Sequence, residues 1–342
     1  MSNKIGSLVI DLQGLQLSAE EKELLKHPLV GGVILFTRNY ESLAQLQALC
    51  ESVRAARQLP LLIMADQEGG RVQRFRHDFS LLPQPSLLGE WYDNDPTLAL
   101  ELAKTTGWLM ASEILAAGID LSLAPVIDLN KDLSSVIGTR AFHSKADAVF
   151  QLAFAYIKGM QEAGMAATIK HFPGHGSVTA DSHLDVPIDE RDLNAILEVD
   201  AMPFQRLINA GVPAVMAAHI IFPHVDARQV SFSRIWLNDI LRERLNFKGV
   251  IMSDDLNMQG ANISADYADR VLAAREAGCD FALLCNNRAG TIQALDRIPY
   301  AAHQLPENKW RVMQANFSLQ NNLDERTLKA QKFLHEHANK GR

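Results

Sequence analysis

The feature that most constrains the fold is a repeat in which a short apolar run is followed by a polar loop and then by a segment with helical periodicity. The apolar runs are SLVIDLQG (7–14), GGVILFTRN (31–39), LPLLIMADQEGG (59–70), IDLSLAPVIDLN (119–130), MAATIKHFPG (165–174), VPAVMAAHI (212–220), KGVIMSDDL (248–256) and CDFALLCNN (279–287). Most of them are nearly continuous, which is typical of parallel strands buried on both faces. Eight such β-then-α units in series predict a (β/α)8 barrel of the TIM type.

The segments between the apolar runs have the spacing of amphipathic helices. Ser18 and Glu21 form a capping-box start for the first helix. Further helices are predicted at 41–57, 97–117, 145–163, 191–210, 231–246, 264–277 and 289–297. Ala-Gly precedes a strand four times, at Gly118, Gly164, Gly211 and Gly278, where glycine supplies a left-handed helix C-cap. An open doubly wound sheet is the rival fold, but no G-x-G-x-x-G follows the first strand.

The chain contains no low-complexity linker that would divide it, so we predict a single domain. Residues 1–300 form the catalytic barrel in this prediction. Residues 301–342 form a helical C-terminal extension packed on the barrel, with one or two amphipathic helices within 308–337.

Composition excludes several classes of function. The formal net charge is −7 and no basic arm or run is present, which argues against nucleic-acid binding. No apolar stretch is long enough for a transmembrane helix, and no export signal is visible at the N-terminus. The three cysteines lack metal-type spacing and indicate reduced thiols in a cytoplasmic protein. We expect a monomer that needs no cofactor or metal.

In a barrel of this type, active-site residues lie at the carboxyl ends of the strands and in the loops that follow them. Polar side chains occupy these places after seven of the eight predicted strands. They are Arg38, Asn39, Asp66, Gln67, Glu68, Asp128, Asn130, Lys170, His171, His219, Asp254, Asp255, Asn286 and Asn287. A solvated rim would also be polar, but convergence from so many strands favours a site.

The seventh strand ends in two consecutive carboxylates, Asp254 and Asp255. Because side chains alternate in direction along a strand, only one of them should face the barrel mouth. The other should cap or brace the next loop. The residues alone do not distinguish the two.

The stretch KHFPGHGSVTADSHLD, residues 170–185, has three interpretations. A metal site is disfavoured because Pro173 and the neighbouring glycines break any helix that would align His171 with His175. A solvated loop is the plain alternative for any single histidine here. Proton transfer is the third, because Asp181 and His183 are close enough for the carboxylate to orient the imidazole.

Two further segments supply arginines at the predicted mouth. ADQEGGRVQRF (65–75) contains Asp66 and Arg74, and IGTRAF (137–142) contains Arg140. Arginines in such places bind hydroxyls or anions through forked hydrogen bonds, although a surface ion pair is the simpler explanation for either one alone.

Together these strings resemble a known family. DQEGGRVQRF, IGTRAF, KHFPGHGSVTADSHLDVP and IMSDDLNMQGA are similar to motifs of the family 3 glycoside hydrolases. The resemblance is to the compact bacterial β-N-acetylglucosaminidases of cell-wall recycling, and it spans the barrel from the first strand to the eighth.

The resemblance implies roles for individual residues. Asp254 matches the nucleophile, His183 the general acid/base and Asp181 its partner. Asp66, Arg74, Arg140, Lys170 and His171 match the residues that bind the N-acetylglucosamine ring. Larger family members take the acid/base from a second domain, which a histidine on a barrel loop would replace here.

The implied activity is removal of terminal non-reducing β-linked N-acetylglucosamine with retention of configuration, through a covalent glycosyl-aspartate. The implied substrate is a 1,6-anhydro-muropeptide. A family 3 β-glucosidase, an N-acetylglucosaminide phosphorylase and a non-catalytic sugar-binding barrel are the alternatives.

Overall fold

Eight parallel strands form the centre of the molecule. The computed structural model describes residues 5–179, 186–300, 304–319 and 323–338. The barrel strands are β1 (Leu8–Asp11), β2 (Val30–Leu35), β3 (Leu62–Ala65), β4 (Leu121–Ser122), β5 (Thr168–Phe172), β6 (Ala214–Ala217), β7 (Val250–Asp255) and β8 (Phe281–Leu284). They lie in the order β4-β3-β2-β1-β8-β7-β6-β5. Each predicted apolar run therefore contributes one strand.

Backbone hydrogen bonds between the β4 segment and β5 close the sheet. The amide of Thr168 donates to the carbonyl of Ala124 at 2.9 Å, and that of Ile127 donates to the carbonyl of Lys170 at 2.9 Å. Val126 pairs with Lys170 as a parallel bridge just beyond β4. The eight strands therefore form a (β/α)8 barrel, as the repeat predicted.

Helices cover the outside of the barrel. They are α1 (Ala19–Lys26), α2 (Leu43–Ala55), α3 (Pro85–Asn94), α4 (Pro96–Ala116), α5 (Ala146–Ala163), α6 (Leu193–Glu198), α7 (Met202–Asn209), α8 (Ile235–Arg244), α9 (Tyr267–Ala277), α10 (Arg288–Arg297), α11 (Glu307–Arg311) and α12 (Leu323–Ala338). The Ser18–Glu21 capping box is present at the start of α1. All four predicted C-cap glycines have positive φ, between 86° and 126°. These local predictions are confirmed.

One helix prediction was wrong, and one helix was not predicted. The single helix predicted at 191–210 is two helices, because the chain leaves helical geometry after Glu198 and Pro203 sits in the first turn of α7. Helix α3 was not predicted. It starts at Pro85 without a side-chain cap from Gln84, so the proline in its first turn is the one start signal that its sequence carries.

The C-terminal region contacts the barrel at several places. Gln304–Leu305 pairs antiparallel with Ile5–Gly6, just before β1. On α12, Gln331 donates to the hydroxyl of Ser80 at 2.9 Å, and Arg326 donates to Glu162 at 2.8 Å. The division into a barrel at 1–300 and an extension at 301–342 stays a prediction. Among the helices that the structure describes, none combines the length and apolarity needed to cross a membrane.

Candidate active site

A cavity of about 470 Å3 opens at the carboxyl ends of the barrel strands. This is the end at which barrels of this type carry their active sites. Six of the eight predicted site residues line it: Asp66, Arg74, Arg140, Lys170, His171 and Asp254. The other two, Asp181 and His183, lie outside the described residues.

The floor of the cavity is a network of buried and half-buried charges. Lys170 lies between two carboxylates, with its Nζ 2.9 Å from Asp66 Oδ1 and 2.7 Å from Glu68 Oε1. Arg74 donates to the other oxygen of Asp66 at 2.9 Å. Arg140 forks onto Glu68, with both hydrogen bonds at 2.8 Å. Because each buried charge has an opposite partner, the network is rigid and its donors and acceptors are fixed in place.

These contacts keep the groups ionised. Burial raises the pKa of Asp66, but the charges of Lys170 and Arg74 outweigh it and hold that pKa well below its usual range. Burial likewise raises the pKa of Glu68, but Arg140 and Lys170 lower it to about 2. Burial lowers the pKa of Lys170, whereas Asp66 and Glu68 raise it above its ordinary value. At neutral pH the floor therefore presents fixed charges to a ligand.

Local backbone structure places the two arginines. Gln67 accepts from the amides of Arg74 and Phe75, at 2.9 and 3.1 Å, and so fixes the loop that carries Arg74. Arg140 ends a short turn that begins at Gly138, and its amide donates to the carbonyl of Ile137 at 2.9 Å. Both arginines approach the cavity from loops that follow strands, β3 for Arg74 and β4 for Arg140.

The two carboxylates at the end of β7 differ in their contacts. Asp255 Oδ1 accepts from the amides of Asn257 and Cys285, at 3.0 and 2.9 Å, and so braces the next loop against β8. Among the residues that the structure describes, Asp254 Oδ1 accepts one hydrogen bond, from the amide of Asp255 at 2.8 Å. One of the two residues, Asp255, braces the next loop, as predicted. The prediction that only one of them faces the barrel mouth was wrong, because both line the cavity. Strict alternation failed because the β7–β8 register shifts between Met252 and Asp255.

The two carboxylates also differ in their ionisation. Burial raises the pKa of Asp254, but the neighbouring His171 and His219 rings, the amide of Asp255 and, least, Lys170 hold it below its ordinary value. For Asp255, burial and the charge of Asp254 raise the pKa to about 7, against the opposing effect of its two backbone donors. Asp254 is therefore ionised at neutral pH, as a nucleophile requires, whereas Asp255 is still partly protonated there.

The ring of His171 is oriented by the carboxylate of Asp128, a residue that the sequence analysis did not include among the predicted site residues. Asp128 is fully buried, and its Oδ2 lies 2.7 Å from Nδ1 of His171. The same carboxylate accepts the amide of His171 at 3.1 Å and the amide of His175 at 2.8 Å. This contact leaves Nε2 as the ring nitrogen of His171 that is available to the cavity.

A second histidine lies beneath the β7 carboxylates. His219 is fully buried, and its Nε2 lies 3.1 Å from the carbonyl oxygen of Asp255. Burial lowers its pKa, so the ring is neutral at neutral pH. Its ring stacks on Phe232 with 5.7 Å between centroids, which fixes its plane.

The residues that flank 180–185 converge on one carboxylate. Asp200 is buried and accepts the hydroxyl of Ser177 at 2.8 Å and a guanidinium N–H of Arg191 at 2.6 Å. Lys131 donates to it at 2.9 Å. Asp200 therefore links Ser177, which precedes residues 180–185, and Arg191, which follows them, to Lys131 in the loop after β4.

The residues missed as site residues are Glu68, Asp128 and Asp255. Each stands at a strand end, which was the one signal that the sequence offered. Their importance follows from partners distant in sequence, such as Arg140 for Glu68. In the part of the chain that the structure describes, no three histidine, cysteine or acidic side chains converge as a metal site.

Comparison with known proteins assigns the family. The model described as the glycosyl hydrolase family 3 N terminal domain matches residues 1–318. The chain belongs to glycosyl hydrolase family 3. A curated family relative, the beta-hexosaminidase of Thiobacillus denitrificans, is 52% identical over 283 residues, covering 83% of this chain and 79% of the relative.

Solved structures agree with that assignment. The crystal structure of NagZ from Neisseria gonorrhoeae in complex with N-trifluoroacetyl-D-glucosamine has a TM-score of 0.91 and 39% identity. It covers 98% of this chain and 99% of the other. The present chain is thus similar along nearly its whole length to a protein that was crystallised with an N-acylglucosamine.

Proposed function

We propose that this chain is a retaining β-N-acetylhexosaminidase that removes terminal non-reducing N-acetylglucosamine. The observation that carries the proposal is a single cavity in which an ionised Asp254 lies with the fixed network of Asp66, Glu68, Lys170 and Arg140. Sugar hydroxyls and an acetamido group need fixed donors and acceptors, which the network offers. Relatives named beta-hexosaminidase support the substrate class.

In the proposed mechanism Asp254 attacks the anomeric carbon. Its carboxylate oxygen forms a bond to that carbon while the glycosidic C–O bond breaks. Positive charge develops on the sugar ring in the transition state, and the low pKa of Asp254 keeps the attacking carboxylate negative to stabilise it. Asp66, Arg74, Arg140, Lys170 and His171 bind the ring in this account.

His183 gives its proton to the departing oxygen in the first step. In the second step the neutral imidazole takes a proton from water, which attacks the glycosyl-aspartate and releases the sugar with its original configuration. Asp181 offsets the imidazolium charge. These two roles rest on the DSH string and the family resemblance.

The finer assignment of the substrate is a 1,6-anhydro-muropeptide, within cytoplasmic recycling of the bacterial cell wall. Cell-wall biogenesis, cell shape and cell division would then depend on the reaction. We further propose that the enzyme acts as a monomer, without nucleic-acid partners, membrane or cofactor. Similarity to NagZ supports the recycling role.

The test compares 4-nitrophenyl β-N-acetylglucosaminide with 4-nitrophenyl β-glucoside and follows the first-formed sugar by proton NMR. We expect hydrolysis of the first substrate with retention of configuration and little turnover of the glucoside. Added phosphate should give no sugar 1-phosphate. Inverted product, or preference for the glucoside, would contradict the proposal.

The acid role of His183 needs its own comparison. His183→Ala should reduce kcat/KM by about 10²-fold or more for a disaccharide, whose alkoxide leaves poorly, and much less for the nitrophenyl substrate. Equal losses on both substrates would remove His183 from proton transfer.

A further inference from the structure

One arginine of the cavity has a different environment from the rest. Arg71 lines the cavity but is exposed, in the turn between Gln67–Gly69 and Val72–Gln73. Its Nη2 donates to the carbonyl of Ser135 at 3.0 Å, to that of Ile137 at 3.5 Å and to that of Val136. These bonds to the loop after β4 hold the guanidinium in one place.

Within the described part of the chain, Arg71 also differs from Lys170, Arg74 and Arg140 in having no acidic partner. Lys170, Arg74 and Arg140 each pair with Asp66 or Glu68. Arg71 forms no ion pair within the described ranges, and its Nε and Nη1 atoms have no hydrogen-bond acceptor there. A fixed guanidinium with unused donors at the edge of a cavity is suited to bind a carboxylate.

The depth of the cavity decides which part of a substrate would meet Arg71. The groups proposed to bind the terminal sugar lie deep, with Lys170 2% and His171 6% exposed. Arg71 and Ser135 are exposed at the mouth. An enzyme that takes a terminal sugar into the closed end must place the leaving group toward the mouth.

We propose that Arg71 forms a subsite for a carboxylate on the leaving-group side of the scissile bond. The proposal rests on the proposed function and adds to it the residue that binds an acidic group of the aglycone. The half-buried side chains of Val72 and Val136, which line the cavity beside Arg71, supply apolar contact for the ring that carries the acid. The carboxylate belongs either to an acidic ether on the leaving sugar or to a peptide attached through it.

The experiment uses three disaccharides of N-acetylglucosamine β-1,4-linked to a reducing N-acetylglucosamine. The reducing sugar bears a 3-O-lactyl group as the free acid, as its amide, or coupled to alanine with a free carboxylate. We expect the wild type to hydrolyse either the lactyl acid or the alanyl acid with a kcat/KM about fivefold higher than that of the amide. This is the effect of one partly exposed ion pair. The preference should fall with added salt.

Arg71→Gln should bring the acid-to-amide ratio close to one, and Arg71→Lys should keep part of it. The matched control is Arg76→Gln, because Arg76 is an exposed arginine after the same turn whose guanidinium donates to the carbonyl of Gly70 at 2.7 Å and which does not line the cavity. That variant should keep the wild-type ratio.

A preference for the lactyl acid places the carboxylate on the sugar, and a preference for the alanyl acid places it on the peptide. A wild type that does not distinguish acids from amide, or an Arg71→Gln variant that keeps the preference, overturns the subsite. Failure of the proposed function itself is separate, because 4-nitrophenyl β-N-acetylglucosaminide would then also go unhydrolysed.

Discussion

The carboxylate of Asp128 and the imidazole of His171 form a buried pair, with 2.7 Å between Oδ2 and Nδ1. Burial raises the pKa of Asp128, but the charge of His171 outweighs it and keeps the carboxylate ionised. The charge of His171 in turn favours ionised Asp254. Asp128 thus acts on the proposed nucleophile through another side chain, as a positioning residue.

Asp128→Asn should therefore shift the acid limb of the pH profile. Asparagine can still accept the amides of His171 and His175, but it no longer places a negative charge against Nδ1 of His171. The pKa of Asp254 should rise, so activity should be lost at higher pH as the solution is acidified. We expect the acid limb of kcat/KM to move upward by about one pH unit.

The control is Asp120→Asn, which changes another buried carboxylate, paired with Arg54 at 3.0 Å before β4 and away from the cavity. Its acid limb should match that of the wild type. A uniform loss of rate in Asp128→Asn, with the acid limb unmoved, would reduce Asp128 to a structural role.

Glu68→Gln should destabilise the fold. The change removes the carboxylate that pairs with Arg140 and leaves Lys170 paired with Asp66 alone. The pair with Arg140 is buried, because the Arg140 side chain is 11% exposed. Breaking a buried ion pair costs about 3 kcal/mol of unfolding free energy or more. Urea unfolding measures the loss.

Glu23→Gln is the matched control, because Glu23 pairs with Lys26 on the surface and its side chain is 72% exposed. That exposed pair should contribute no more than about 0.5 kcal/mol. Equal stability of the two variants would mean that the floor network does not stabilise the protein.

Asp255→Asn should alter how stability depends on pH. Because the pKa of Asp255 is raised to about 7 in the folded protein, the folded state holds a proton that the unfolded state has already lost. Wild-type stability should fall as pH rises from about 4, the unfolded value, to about 7. Asparagine keeps an oxygen for the amides of Asn257 and Cys285 without the charge.

The difference in Tm between Asp255→Asn and the wild type should accordingly move in favour of the variant as pH rises through that window. Thermal unfolding at several pH values measures it. A difference that stays constant, or that moves toward the wild type, would show that Asp255 titrates normally.

Sequence reasoning predicted the barrel because its signals are local. Each strand is an apolar run and each C-cap glycine follows its own helix. Helix α3 was missed because no side chain caps its start, and the proline in its first turn is equally common in loops. The split at 191–210 was missed because apolar spacing continues through a break that the backbone makes after Glu198.

The site was predictable only in part, for the same reason. Asp66 and Lys170 stood out as strand-end residues, and the structure brings them to 2.9 Å across 104 residues of sequence. No pattern in one sequence specifies that Glu68 pairs with Arg140 or that Asp128 holds His171, because these contacts depend on barrel closure. The different ionisation of Asp254 and Asp255 likewise depends on neighbours from other strands.

Trapping the covalent intermediate tests the central claim most directly. The enzyme is incubated with 5-fluoro-N-acetylglucosaminyl fluoride, digested and analysed by mass spectrometry, with Asp254→Asn and Asp255→Asn as parallel samples. We predict a glycosyl adduct on Asp254 in the wild type and in Asp255→Asn, and none in Asp254→Asn. An adduct on another carboxylate, or hydrolysis of the fluoride with no adduct and with inversion, would contradict the account.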